Sequence, residues 1–137
     1  MKKKILKRAA AAFLLCLYPA AIIVFAWSHV LKSDLKGGRN GQLDAYRHAL
    51  ASAAVAYTLG QWAVHFTTYV FESGGKASNL MDAQNNRIGA KIGSQVQTFS
   101  DIEPCVRQAV QHGQASATDP SQITWLPTSQ WRDSKFW

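Results

Sequence analysis

The stretch Gln42-Leu-Asp-Ala-Tyr-Arg-His-Ala-Leu-Ala-Ser-Ala-Ala-Val-Ala-Tyr-Thr58 decides the fold. It is rich in Ala and Leu, its polar residues gather at the start, and Gly60 follows it, so the pattern predicts an α-helix. Asp44, Arg47 and His48 fall at i, i+3 and i+4 and share one helix face. Ala45, Ala49, Ala53 and Ala56 make a second surface of small residues. A later stretch, Asp82-Ala-Gln-Asn-Asn-Arg-Ile-Gly-Ala-Lys-Ile-Gly93, lines up Asp82, Asn85, Asn86, Gly89 and Gly93 on one face. Each glycine lowers helix propensity by up to about 1 kcal/mol relative to Ala. That cost suggests close packing on the glycine face, and the alanine surface is a suitable partner. If the two helices meet there, Arg47 and His48 meet Asp82, Asn85 and Asn86, provided the segment between them carries the chain back across the bundle.

Working outward, Trp62 to Glu72 has Trp62, Phe66, Tyr69 and Val70 at helical spacing, although its β-branched and aromatic content would also suit a strand. Ser73, Gly74 and Gly75 close it, and Asn79 or Ser78 can cap a third bundle helix running to about Gln97. A fourth begins between Ser100 and Pro104, where Ser100 and Glu103 have capping-box spacing and Pro104 belongs in the first turn, and it stops at Gly113. The expected architecture is all-α: an N-terminal transmembrane or signal helix (1–31), a glycine-rich linker read as a tether (32–41), a helical bundle (42–113) and an aromatic C-terminal extension (114–137). In that extension Trp125, Trp131, Phe136 and Trp137 either cover the core or sit at a membrane interface.

The 137-residue chain has room for one compact domain, and 47% hydrophobic with 17% charged residues excludes disorder. Its net charge of +7 is unevenly placed. Lys2, Lys3, Lys4, Lys7 and Arg8 form an acid-free cluster, whereas ten Lys or Arg from Lys32 onward face eight Asp or Glu. A nearly balanced domain has no basic stripe for tracking phosphates, so no nucleic-acid partner is expected, and the clustered tail suits anionic lipid. Ala9 to Leu31 then runs without a Lys, Arg, Asp or Glu. It is long enough to cross a bilayer, with the basic cluster in the cytoplasm and Trp27 at the outer edge. The expected location is the bacterial inner membrane in a single pass, with membrane lipid contacted through residues 9–31 and the C-terminal domain periplasmic or extracytoplasmic. A cleaved signal peptide is the alternative, with Ala26 and Ser28 before a cut after Ser28 and the domain then secreted; Trp27 and His29 make a poor cleavage neighbourhood. Cys16 lies in the export segment and Cys105 in the domain, which excludes a disulfide scaffold, a cysteine zinc site and a C-x-x-C motif.

The two polar helix faces carry the candidate chemistry. An imidazole held by a carboxylate is a competent general base, and an arginine with side-chain amides can bind a phosphate or a developing oxyanion. His48, Asp82 and Arg47 are the catalytic candidates, and Asn85, Asn86, Asp44 and Glu72 the substrate-binding ones. Each also has a plain structural role open to it: an exposed Asp44–Arg47 ion pair, a satisfied half-buried imidazole, a first-turn acid favoured by the helix dipole, an ordered asparagine network. No cofactor is expected; a divalent ion on His48, Glu72 and Asp82 is chemically possible, but no metal-spacing motif supports it. Neither G-x-S-x-G nor a phosphate-binding glycine loop occurs.

The pairing of Asp-Ala-x-Arg-His-Ala (44–49) with Asp-x-x-Asn-Asn-x-x-Gly (82–89) resembles a poorly characterised bacterial helical domain associated with polymorphic-toxin-type and phage-related proteins, over about Gly41 to Gly93. In that family the linking helix tends to end in a His-Glu pair. Phe71-Glu72 stands there in this chain, which makes Glu72 a third candidate member of the cluster and leaves out the second histidine of a two-histidine metal site. The expected function is a hydrolase-like polar cluster acting on a cell-envelope substrate, with peptidoglycan, its lipid-linked precursors and phospholipids as candidates. The alternative is a non-catalytic accessory or immunity-type protein that binds a protein partner, its polar residues fixing helix register.

Overall fold

A computed structural model describes residues 2–135; Phe136 and Trp137 lie outside the described residues. Five α-helices, α1 (Lys2–Lys32), α2 (Gln42–Leu59), α3 (Gln61–Phe71), α4 (Ala77–Gln95) and α5 (Ile102–Gln111), are followed by a two-residue parallel ladder of β1 (Gln114–Ala115) with β2 (Thr124–Trp125). The fold is therefore essentially all-α, and the segment whose composition also suited a strand is helical.

α2 is the central helix, packed by every other helix. Leu43, Ala45, Tyr46, Ala49, Leu50, Ala53 and Ala54 are buried along it. α4 lies against its alanine face so closely that a Cβ on Gly89 would come 2.2 Å from the Ala49 carbonyl oxygen, and one on Gly93 would come 2.0 Å from that of Ala53. Gly89 opposes Ala49 and Gly93 opposes Ala53, with residue numbers rising together, so α2 and α4 run parallel. α3 makes this possible: it turns back at Gly60, whose φ of 91° is easy only for glycine, and returns the chain to the starting end of α2. α5 packs Ile102, Val106 and Val110, one turn apart, into the same core, and Tyr46 donates a hydrogen bond to Glu103 at 2.7 Å.

Two boundaries differ from expectation. α4 starts at Ala77, one residue before Ser78, with Lys76 at the N-cap and no side-chain cap. Before α5 the capping box belongs to Thr98 and Asp101 in a short 3-10 turn (Phe99–Asp101), because Glu103 is drawn instead to Tyr46 and Arg107.

Neither α1 nor the linker is a detached appendage. Val30 and Ala26 of α1 are buried in the bundle, Phe25 stacks on Phe99 at 4.8 Å between ring centroids, and Arg47 lies over the Trp27 ring at 5.4 Å. Farther back, the Tyr18 hydroxyl meets that of Thr58, so α1 runs antiparallel to α2 from Tyr18 to Val30. The same helix contains Ala10–Lys32, 23 residues long and apolar enough to cross a membrane or to act as a signal segment. Residues 32–41 are clamped rather than loose. Arg39 and Arg132 exchange backbone hydrogen bonds of 3.1 and 3.2 Å, and Gly37 and Gly41 approach each other under the Trp131 ring, where a Cβ on Gly37 would lie 2.6 Å from the Gly41 Cα. Ile123 and Trp125 in the C-terminal extension are buried and Trp131 packs against the same core.

Because the α2–α4 contact has no room for a side chain, Gly93→Val should destabilise the protein by about 2 to 3 kcal/mol, whereas Gly75→Ala, with nothing within 4 Å of the added Cβ, should be close to neutral. Chemical denaturation of the two variants in the same detergent checks this; equal stabilities would refute the close-packed crossing.

Candidate functional site: a histidine between two carboxylates and an asparagine

The parallel pairing of α2 and α4 puts the first two turns of both helices side by side. His48 Nε2 lies 3.4 Å from Asp82 Oδ1 and 3.6 Å from Asp44 Oδ1, and His48 Nδ1 lies 3.2 Å from Asn86 Oδ1. The Asn86 amide is fixed from two sides: its Nδ2 donates to Thr68 of α3 at 3.1 Å, and its Oδ1 accepts from Ser52 at 3.0 Å. With the amide oxygen turned toward the ring, Nδ1 must carry the proton and donate it, so the neutral imidazole keeps its lone pair on Nε2, the nitrogen facing the two carboxylates.

Asp44 is buried and heavily held. Its Oδ2 accepts from the backbone N–H of Asn40 at 2.6 Å, and its Oδ1 accepts from Arg47 Nη2. Arg47 also donates to the Gly38 carbonyl at 3.2 Å. Asp82 is different: its Oδ1 is buried with no hydrogen-bond partner. Burial raises its carboxyl from the ordinary 3.8 to about 6, the charges of Asp44 and Glu72 add to the rise, and His48 and Arg47 oppose it. A carboxyl that titrates near neutrality beside an imidazole is suited to proton transfer.

The cluster opens on a polar cleft of about 310 Å³ whose lining includes Asp44, Arg47, His48 and Asp82, with Arg39, Asn40, Ser78 and Asn79 at its edges. His48 keeps 23% of its side chain exposed.

Of the sequence candidates, Asp44, Arg47, His48, Asp82 and Asn86 converge here. Asn85 does not. Its side chain points to the other side of α4, is fully buried, and clasps the backbone of Thr124, accepting from its N–H at 3.0 Å and donating to its carbonyl at 2.8 Å. Consecutive asparagines on a helix project about 100° apart, so only one of them can face α2. Glu72, at the end of α3, reaches Asp82 through its charge alone; its carboxylate makes no hydrogen bond or ion pair among the described residues. Among the described residues, the group of side chains whose ligand atoms lie close enough to hold an ion is Asp44, His48 and Asp82, within 4.8 Å of one another, and not the triplet with Glu72. Arg47 already neutralises the same Asp44 oxygen, which weakens that donor set for a cation. Ser52 and Thr68 are the members that sequence reasoning missed. Ser52 stands four residues after His48 on the same face and was findable by spacing; Thr68 comes from another helix and was not.

The fold and site define a small helical bundle built around a parallel helix pair with an open histidine–carboxylate cleft. Residues 8–116 match DUF6973, a domain of unknown function, and the chain belongs to that family. The match takes in most of α1 as well as the bundle. No curated protein and no solved structure matches the chain.

The raised carboxyl has a measurable consequence. The folded protein holds the Asp82 proton to higher pH than the unfolded chain does, so stability present below about pH 4 is lost as the pH rises through about 6. Asp82→Asn should escape this loss, gaining on the wild type by on the order of 2 to 3 kcal/mol between pH 4 and pH 7. Denaturation of both proteins across that range tests it, and parallel pH profiles would count against the buried carboxyl.

Proposed function

We propose that this protein is a membrane-anchored hydrolase-type domain, in which His48 acts as general base on an ester or phosphoester of the cell envelope. The observation that carries this is the His48 ring itself: Nδ1 is tied to Asn86, Nε2 faces two carboxylates, and the ring lines an open cleft. A water held near Nε2 would give up its proton to the imidazole as its oxygen attacks the ester carbon or phosphorus; the bond to the leaving alcohol then breaks, and the imidazolium, stabilised meanwhile by the Asp44 and Asp82 carboxylates, returns the proton to the departing alkoxide. Arg47 fixes Asp44 and adds positive charge beside the reacting centre. None of these steps uses a cofactor.

Anchorage rests on α1. Removal of residues up to Ser28 would strip Phe25, Ala26 and Trp27 from the bundle, so the helix is read as retained, with its basic start in the cytoplasm and the cleft outside. A reporter enzyme that works only after export, fused behind Trp137, should be active in cells; activity confined to a cytoplasmic reporter would reverse the orientation.

A second reading has its own support, because Asn86 is buried and both ends of its amide are satisfied by Ser52, Thr68 and His48, as in a network that only sets helix register. The two readings part on one substitution. With a catalytic base, His48→Ala should cut turnover of a phospholipid or lipid-linked peptidoglycan precursor at least 100-fold while the thermal melt moves little. A large fall in the melting temperature, with no turnover by the wild type, would instead make the cluster structural.

A further inference from the structure

His48 and Arg47 form part of the walls of two cavities at once. On one side is the polar cleft. On the other is a second cavity of about 210 Å³, walled by Ile22, Ile23, Ala26 and Trp27 of α1 and floored by Ala51 and Ser52 of α2. The first is lined by carboxylates, guanidinium groups and amides, whereas the second is mainly aliphatic and indole surface, with Arg47, His48, Ser52 and Asn86 as its polar members. They meet at the imidazole.

The apolar cavity leads onto the outer surface of α1. Ile23 is 56% and Val24 68% exposed, and both belong to the segment that is long and apolar enough to cross a membrane. On α2 the stripe that starts with Asp44 and His48 continues through Ala51, half-buried Val55 and Leu59, the last 45% exposed, at the three- and four-residue steps of one helix face. This face is polar at one end and apolar at the other, and α1 runs antiparallel beside it.

We infer that the two cavities together form one binding groove for a phospholipid, with a hydrocarbon chain lying between α1 and α2 on Ala51 and the phosphate-bearing head in the cleft at His48. This rests on the anchored reading of α1 for the source of the ligand and on the hydrolase reading only for what happens to the head. Three features select the occupant. One wall is α1, with Ile23 both lining the cavity and 56% exposed, so with α1 as the membrane anchor the ligand comes from the bilayer. The apolar cavity is small, about 210 Å³, with Ala26 and Ala51 both in its lining, which favours a slender unbranched chain over a methyl-branched polyprenyl one. In the cleft, Arg39 is exposed and pairs with no carboxylate among the described residues, a free cation for an anionic head.

The test uses the full-length protein in phosphatidylcholine nanodiscs doped with equal amounts of phosphatidylglycerol and undecaprenyl phosphate, with retained lipid identified by native mass spectrometry. The wild type should keep one phospholipid. Ala51→Phe fills the groove from its floor and Ile22→Trp from its wall; each should cut retention at least tenfold, and the second variant decides if the first fails to fold. Retention unchanged in a folded groove-filling variant overturns the inference, as does retention of undecaprenyl phosphate in preference to phospholipid. Hydrolysis is read separately. Phospholipid kept but never cleaved leaves the groove standing and removes the hydrolase, whereas cleavage of a soluble phosphodiester by a wild type that retains no lipid does the reverse.

Discussion

The close approach of two backbones, Gly89 to Ala49 and Gly93 to Ala53, is the constraint on which the rest of the structure depends. With no side chain between them, α2 and α4 can lie near van der Waals contact along two turns, and at that separation their polar ends are within hydrogen-bond reach of each other. A methyl group on either glycine would hold the helices apart and open the His48–Asn86 and His48–Asp82 contacts. The helix propensity given up at Gly89 and Gly93 is therefore recovered as position, a tolerance of tenths of an ångström at a site several residues away.

Parallel alignment matters as much as distance. Consecutive helices joined by a short turn are antiparallel, which would separate the start of one from the start of the next by the length of a helix. Inserting α3 between α2 and α4 restores a common direction, and α3 also supplies Thr68 to the asparagine that orients the histidine. One helix thus serves connection and chemistry together. Its outer surface carries Trp62, Phe66, Tyr69 and Phe71, all more than 60% exposed.

The family match beginning at residue 8 fits the way α1 is built into the bundle. Val30 and Ala26 are buried in the bundle, and Trp27 and Phe25 pack half-buried against its core. A segment that looks like a separable leader by composition is by contact a bundle helix over its last four turns, and it contributes a wall of the site.

Residue spacing alone marked the main helices and one face of each of α2 and α4. Periodicity marked α2, α3 and α4, the glycine and alanine rows named their own partners, and i, i+3, i+4 spacing joined Asp44 to Arg47 and His48. These are local facts, set by the 3.6-residue repeat, and they survive without knowledge of the fold. Charge runs likewise marked the apolar segment of α1. Only the tertiary structure decided between Asn85 and Asn86, because which of two adjacent side chains faces a neighbour depends on where that neighbour lies. The same holds for Thr68 and for the clamped linker under Trp131, whose partners are far away in sequence. It holds as well for the state of the Asp82 carboxyl: burial and the charges of α2 and of the end of α3 set its proton affinity, and none of these is written in the residues beside it.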